Sequence, residues 1–259
     1  MSENFEKGER YDSTRQAWED IWDGASVAIE VESFQYPRAQ KMTALYLPYL
    51  SKDEVILEAG SGLGAALINF QQMGYRIIGL DYALNALQAC QAYDETLALV
   101  GGDVHYLPYA ENSIGAYLSY GVLEHFEHGM EPALKEAYRV LRPGGILVMT
   151  IPYPNIVNRL VAWKRRLTGK SLLNDEEFFE STYNKTQMRE HLQGVGFQII
   201  DIHPTGHSFT LWSLGGIFRS EGYYRKNKLA RGLGGILEKI LPWPFTFETL
   251  SIAKKPESK

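Results

Sequence analysis

One cysteine in 259 residues, Cys90, has no partner for an internal disulfide. A disulfide-framed fold is excluded, and a reducing, cytoplasmic setting is expected. Uninterrupted apolar runs fall far short of the roughly 18 residues that a membrane-spanning helix needs, so no span is expected. The first ten residues, MSENFEKGER, carry charge where an export signal needs an apolar stretch. Internal repeats and low-complexity tracts are missing, which argues against repeat arrays and disordered chains. Positive charge is scarce in residues 1–150, where 10 Lys+Arg stand against 21 Asp+Glu. It is in excess in residues 151–259, at 16 against 10. The acidic front makes a poor non-specific nucleic-acid binder, so no nucleic-acid partner is expected. The basic rear is either an ordinary solvated surface or a meeting place for an anionic partner.

What remains is ordinary soluble-protein composition, 45% hydrophobic and 22% charged, over a length that supports one large core without staples. The first 50 residues read as helical and rich in aromatics. Strand and helix then alternate: Val55–Ala59, a Gly-rich turn, a helix over 64–73, a strand Tyr75–Leu80 and a helix Leu84–Asp94. A strand Leu97–Val100, a strand Ile114–Tyr120, a helix Glu131–Leu141 and a strand Ile146–Ile151 follow. That rhythm predicts an α/β domain with a parallel sheet and helices on both faces. Residues 1–50 are expected to form a helical N-terminal cap. Residues 51–259 are expected to form the main domain, with late insertions at 153–184 and 206–244. Further strands are expected near Gly196–Ile202 and Phe245–Ala253, with helices over 185–194 and Leu229–Leu241.

The sharpest local signal is Val55-Ile-Leu-Glu-Ala-Gly-Ser-Gly-Leu-Gly64. Gly60, Gly62 and Gly64 sit where a strand turns into a helix, and glycine there lets backbone approach a ligand closely. In an open α/β sheet the ligand lies at the carboxyl ends of the strands, near the switch in strand order. Read bare, the turn could serve a dinucleotide or be purely structural, since Gly60, Gly62 and Ala65 fit G-x-G-x-x-A. Asp81 ends the second strand, where a carboxylate can accept both hydroxyls of a ribose. Its alternative role is to cap the helix near Leu84. Asp103 follows the third strand and can accept from an adenine amino group, with Val104 covering the ring. Its alternative role is that of a turn aspartate.

These residues carry a resemblance. Leu57-Glu-Ala-Gly-Ser-Gly-Leu-Gly64, Ile78-Gly-Leu-Asp-Tyr82, Gly102-Asp-Val-His-Tyr-Leu-Pro108, Tyr120-Gly-Val-Leu-Glu-His125 and Arg139-Val-Leu-Arg-Pro-Gly-Gly145 resemble, in order, the motifs of class I S-adenosylmethionine-dependent methyltransferases of the type 11 group. The likeness covers about residues 50–152 and implies the α/β, Rossmann-like fold of that family, a mostly parallel seven-stranded sheet with helices on both faces. One departure is Asn112-Ser-Ile-Gly-Ala116, where the family usually has an Asp after a Ser-Phe pair. The resemblance implies S-adenosyl-L-methionine as cofactor and S-adenosyl-L-homocysteine as product. It implies that Glu58, Gly60, Ser61 and Gly62 lie near the amino-acid end, Asp81 and Tyr82 at the ribose, and Asp103 and Val104 at the adenine. Tyr120 would border the sulfonium, and Tyr11, from an N-terminal lid, would meet the sulfonium or touch the methionine carboxylate. The alternative for that segment is packing of Trp18 and Trp22 on the sheet.

The activity that the resemblance implies is methyl transfer to a small-molecule acceptor, lipid- or sugar-linked acceptors included, with oxygen as the expected site. His125, just beyond the fourth strand, is the candidate base, since an imidazole titrates near working pH. Its alternative is to order its own loop. Glu124, His125, Glu127 and His128 have loose metal-ligand spacing, and no metal is expected. Two basic amphipathic stretches, Arg159–Lys170 and Leu229–Leu241, also suit contact with an anionic membrane surface. The other function classes are a nicotinamide-dependent oxidoreductase and a cofactor-binding module without catalysis. Oligomeric state is not legible in the chain.

Overall fold

The computed structural model describes residues 11–160, 163, 180–219 and 227–257. Its centre is a seven-stranded sheet in the order β3-β2-β1-β4-β5-β7-β6. The strands are β1 (Val55–Ala59), β2 (Arg76–Asp81), β3 (Leu99–Gly101), β4 (Ile114–Tyr120), β5 (Leu141–Pro152), β6 (Gln198–Thr205) and β7 (Glu248–Lys254). β1 to β5 pair in parallel, whereas β7 runs antiparallel to both β5 and β6. The order reverses between β1 and β4, and the crevice outside their carboxyl ends is where such sheets hold ligands.

Alternation along the strands divides the core in two. Leu57, Tyr117 and Leu147 point to one face, against Leu134 and Ala137 of α6 (Glu131–Val140) and Met188 of α7 (Lys185–Val195). Ile56, Leu118 and Val148 point to the other. There they meet Leu67 and Phe70 of α4 (Ala65–Gln72), Cys90 of α5 (Leu84–Tyr93), and Met42 and Tyr46 of α3 (Pro37–Tyr46). A strand with apolar residues at consecutive positions is thus explained by burial on both sides. Leu134 is fully buried, and such a side chain contributes about 1.5–3 kcal/mol.

Local chemistry sets the boundaries. α7 starts on a capping box, with Asn184 accepting from the Thr186 and Gln187 N–H groups, and stops at Gly196 at φ 112°. Within the first 50 residues, expected to be helical, α3 ends at Tyr46 and gives way to a 3-10 turn over Leu47–Tyr49. Pro48 brings no N–H to continue it. β5 starts at Leu141, five residues before the expected strand, because Leu141 pairs with Ile114 across an irregularity that contains Gly144 at φ 74°. The Asn112 segment, which departs from the family pattern, is a turn. Asn112 has a positive φ of 58°, and its side-chain oxygen accepts from Lys255 Nζ at 2.8 Å.

Ahead of the sheet lie α1 (Tyr11–Asp23), α2 (Val27–Ser33) and α3. Val27, Phe34, Met42 and Tyr46 tie this region into the second core. Between β6 and β7 come α8 (His207–Ser213) and α9 (Lys228–Ile240). Most of the expected basic stretch at 159–170 lies outside the described residues. No helix among the described residues is long and apolar enough to cross a membrane.

Candidate functional site

The turn from β1 into α4 is held in a ligand-facing shape by the end of β2. Gly60, Gly62 and Gly64 have φ of 79°, 49° and 71°, a region that disfavours any residue with a Cβ. The Gly60 and Ser61 N–H groups both donate to the Leu80 carbonyl, at 2.8 and 3.0 Å. The Gly62 N–H donates to Asp81 Oδ2 at 2.7 Å, and the Ala83 N–H to Asp81 Oδ1 at 2.8 Å. Burial raises the Asp81 pKa, against the pull of the Ala83, Gly62 and Tyr82 N–H groups. Asp81 therefore does not cap α5 by its first turn. It braces the loop and the turn that precedes α5.

Glu58, one residue before the end of β1, is buried and accepts from the Leu67 N–H at 2.7 Å. Desolvation pushes its carboxyl up to about 8, opposed by that N–H and reinforced by nearby Asp81. Beyond β3, Asp103 Oδ1 accepts from the His105 N–H at 2.9 Å and lies 2.8 Å from the ring Nδ1. Tyr120, at the end of β4, donates its hydroxyl to Tyr46 at 2.7 Å. His125 closes a buried 3-10 turn (Leu123–His125), with its ring edge-on to Trp18 at 5.3 Å between centroids. Beside it, Glu124 is buried with Oε2 lacking a hydrogen-bond partner among the described residues. Burial raises Glu124 to about 8, its own backbone N–H opposing and Glu180 reinforcing.

A cavity of about 380 Å³ opens on this edge of the sheet. Glu58, Gly60, Ser61, Gly62, Asp81, Tyr82, Tyr120 and His125 all line it. A smaller recess of about 20 Å³ holds Asp103 and Val104 and shares Gly60, Asp81, Tyr82, Val122 and Phe126 with the larger space. The fold thus brings every expected site residue to one place except Tyr11. Tyr11 opens α1, and its side chain lies outside the described residues.

Trp18 and Trp22 stack at 5.3 Å and line the cavity, and Trp22 also packs against the second core. The Trp22 ring lies against Gly62, so that a Cβ there would come within 2.7 Å of it. Asn85 secures α1 to α5 by donating to the Glu19 carbonyl and to Asp23, both at 2.7 Å. The far wall comes from α2 and α3, with Ile29, Glu30, Phe34, Arg38 and Met42, and from Phe209 on α8. Arg38 pairs with Glu248 and lies 4.7 Å over the Phe209 ring. Of the two late insertions, 206–244 supplies Phe209, whereas 153–184 supplies no lining residue among those described, and 161, 162 and 164–179 lie outside them. Arg38 and Glu30 escape sequence reading because only tertiary packing turns them inward. Val122 was legible in principle, since it belongs to the fourth-strand motif. Among the described residues, no group of three or more His, Cys, Asp or Glu is placed to hold a metal.

Comparison with known proteins agrees with this geometry. Residues 57–149 match the model of a methyltransferase domain family. A probable S-adenosylmethionine-dependent methyltransferase of Mycolicibacterium smegmatis is 27% identical over 146 residues, 56% of this chain and 52% of that protein. The chain thus spans about half the length of that relative. A demethylmenaquinone methyltransferase of Staphylococcus epidermidis is 26% identical over 246 residues, 90% of this chain and 100% of that protein. Among solved structures, the 1,6-didemethyltoxoflavin-N1-methyltransferase of Burkholderia thailandensis, with 1,6-didemethyltoxoflavin and S-adenosylhomocysteine bound, has a TM-score of 0.60 at 15% identity. That likeness covers 95% of this chain and 88% of that one, and at such identity it speaks for the fold.

Proposed function

We propose that this chain, which belongs to the class I S-adenosylmethionine-dependent methyltransferases, is an active enzyme that methylates a small-molecule acceptor at oxygen. The observation that carries this reading is convergence. The Gly60–Gly64 loop, Asp81 and Asp103 come from three separate strand ends and border one connected space. The donor set fits the cofactor. Ser61 Oγ is buried on the cavity wall without a partner among the described residues. Acidic side chains (Glu30, Glu58 and Asp81) and aromatic rings (Trp18, Trp22, Tyr82 and Tyr120) suit a ligand that carries ammonium and sulfonium charge. In this reading Asp81 and Tyr82 hold the ribose, Asp103 and Val104 the adenine, and Glu58 with the Gly60–Gly62 backbone the amino-acid end. S-Adenosyl-L-methionine supplies, when bound, a methyl group already activated for in-line displacement.

The protein's part is alignment and exclusion of water. Holding two reactants at near-attack distance is worth on the order of 7–11 kcal/mol. α1 acts as the lid, with Trp18 and Trp22 as its inner surface, and residues 1–50 act together as the cap. His125, at the cavity wall beside Trp18, takes the proton of an acceptor hydroxyl, a contribution of typically 10²–10⁴-fold. The walls of α2, α3 and α8 receive the acceptor, and their apolar and aromatic surface suits a small organic molecule. The demethylmenaquinone and toxoflavin relatives, named for small-molecule acceptors, support that class.

The test is calorimetric titration with S-adenosylmethionine, S-adenosylhomocysteine and reduced nicotinamide dinucleotide, followed by detection of S-adenosylhomocysteine over a panel of hydroxylated acceptors. Heat with the first two alone, and product with at least one acceptor, is the expected result. Heat with the nicotinamide overturns the assignment of the cofactor. Binding without turnover on any acceptor leaves a cofactor-binding module and overturns the activity.

A further inference from the structure

We infer that α9 docks this protein on an anionic membrane surface, with its axis in the plane of the lipid headgroups. The helix has two unlike edges. Its inner edge carries Ala230 and Gly234, both buried, and Gly234 comes so close to α8 that a Cβ would lie 2.8 Å from the Ser208 backbone. On the stripe beside that edge stand Leu229, Leu233, Ile236 and Ile240, which recur at helical spacing. Such a stripe normally faces a core. Here all four are exposed, Ile236 by 53% and Ile240 by 64%. At 100° per residue, Lys228 and Lys239 fall together along the outer border of the stripe. Both are exposed, and neither has an ion pair among the described residues.

Apolar exposure continues past both ends of the helix. Before it, Ile217 is 71% exposed, and Asn227, the N-cap residue of α9, donates its side-chain amide to the Ile217 carbonyl. After it, the Ile156 N–H donates to the Pro244 carbonyl at 2.9 Å, which sets the helical stretch at 156–160 beside the chain leaving α9. Trp163, a turn further on, is 63% exposed. An amphipathic helix with lysines at the edge of its apolar face and a tryptophan nearby is the pattern that lies in a membrane interface. The charge selects the occupant. Lysines bordering the apolar stripe complement anionic headgroups, whereas a second copy of this face would set lysine against lysine.

Position gives the docking a use. α9 packs on α8, which carries Phe209 of the cavity wall, and Glu238 of α9 lies 3.3 Å from Lys41 of α3, whose Arg38 also lines the cavity. The acceptor side of the cavity is therefore one helix behind the docking face. If the methyl-transfer reading holds, the acceptor is a lipid-soluble molecule taken up from the bilayer. The docking itself does not depend on that reading.

The experiment is co-sedimentation of the full chain with phosphatidylcholine vesicles, with and without phosphatidylglycerol, at low and high salt. The wild type is expected to sediment with the phosphatidylglycerol vesicles at low salt and to be released by high salt. The pair Lys228→Glu and Lys239→Glu should weaken that partition by at least about fivefold per lysine, the loss expected for each charge near an anionic surface. The pair Ile236→Glu and Ile240→Glu should abolish it. Both double variants should keep the wild-type circular dichroism melt and S-adenosylhomocysteine affinity, so that a failed docking and a failed cofactor site are read separately. Wild-type protein left in the supernatant at low salt, or unaltered sedimentation of the variants, overturns the proposal. So does a wild-type dimer in lipid-free sedimentation that Ile236→Glu converts to a monomer, which would give the face to a second copy.

Discussion

The Asp81 carboxylate accepts the Gly62 N–H at 2.7 Å, joining the end of β2 to the turn that launches α4. With its other oxygen on the Ala83 N–H, one buried side chain sets the geometry of two turns on the cavity wall. Hydrogen bonds to a charged group are worth about 1.5–3 kcal/mol each. Asp81→Ala should lower S-adenosylhomocysteine affinity at least tenfold and also lower the melting temperature. Asp81→Asn, which keeps one acceptor oxygen, should lose less on both counts. Calorimetry and thermal melts check this, and unaltered affinity in Asp81→Ala would remove the residue from ligand binding.

Gly62→Ala tests the contact between α1 and the loop. The new Cβ would sit 2.7 Å from the Trp22 ring on a backbone at φ 49°, so either the ring or the loop must move. A residue forced into such a conformation costs of order 1–3 kcal/mol. Cofactor affinity should fall by about one to two orders of magnitude. Trp22→Ala removes the obstructing ring, so combining the two changes should cost less than the sum of the single losses. Strict additivity in that cycle would show that Trp22 and Gly62 act independently.

His125→Ala should reduce turnover by about 10²–10⁴-fold while leaving S-adenosylhomocysteine affinity near the wild-type value. The pH–rate profile separates catalysis from loop ordering. If the imidazole takes the proton, the acidic limb of the wild-type profile disappears in the variant. A variant that keeps the limb at reduced turnover would make His125 a residue that orders the loop.

Stability should fall as pH rises through the neutral range. Glu58 and Glu124 both hold their protons up to about 8 in the folded chain, against an ordinary value of 4.5, chiefly because burial penalises the charged form. The folded state therefore binds more protons than the unfolded state between those values. Their contribution is complete below about 4.5 and is lost as pH rises through about 8. Glu124→Gln cannot ionise, so its melting temperature should change less with pH. Around pH 9 it should exceed the wild type by a few degrees, at roughly 2–4 °C per kcal/mol. A wild-type melting temperature that climbs from pH 6 to pH 9 would contradict this.

Much of the scaffold was legible because its signals are local. The run Val55–Ala59 and the glycines after it mark a buried strand and its turn, and β1 begins and ends where the sequence reading put it. The carboxylates at 81 and 103 were legible for the same reason, since each follows a strand at its carboxyl end. Arg38 and Glu30 had no such marker. They sit on helices whose inward face is chosen by tertiary contact, α2 against α4 and Arg38 of α3 against Phe209 of α8, not by spacing. The stripe on α9 was visible as a period but not as a surface. Only the fold shows that Ala230 and Gly234, not Leu229 and Leu233, face inward.

The strand order has a consequence for how the chain is made. Among the described residues β6 has β7 as its sole neighbour in the sheet, although β7 is synthesised later, after α8 and α9. On the ribosome, β1 to β5 can therefore assemble while β6 has nowhere to pair. The far border of the sheet is sealed only when residues 248–254 have emerged and slid between β5 and β6. Until then β6 and α8 lack the strand that joins them to the sheet, so nascent chains should acquire protease resistance in two stages, β1 to β5 before the β6–β7 border.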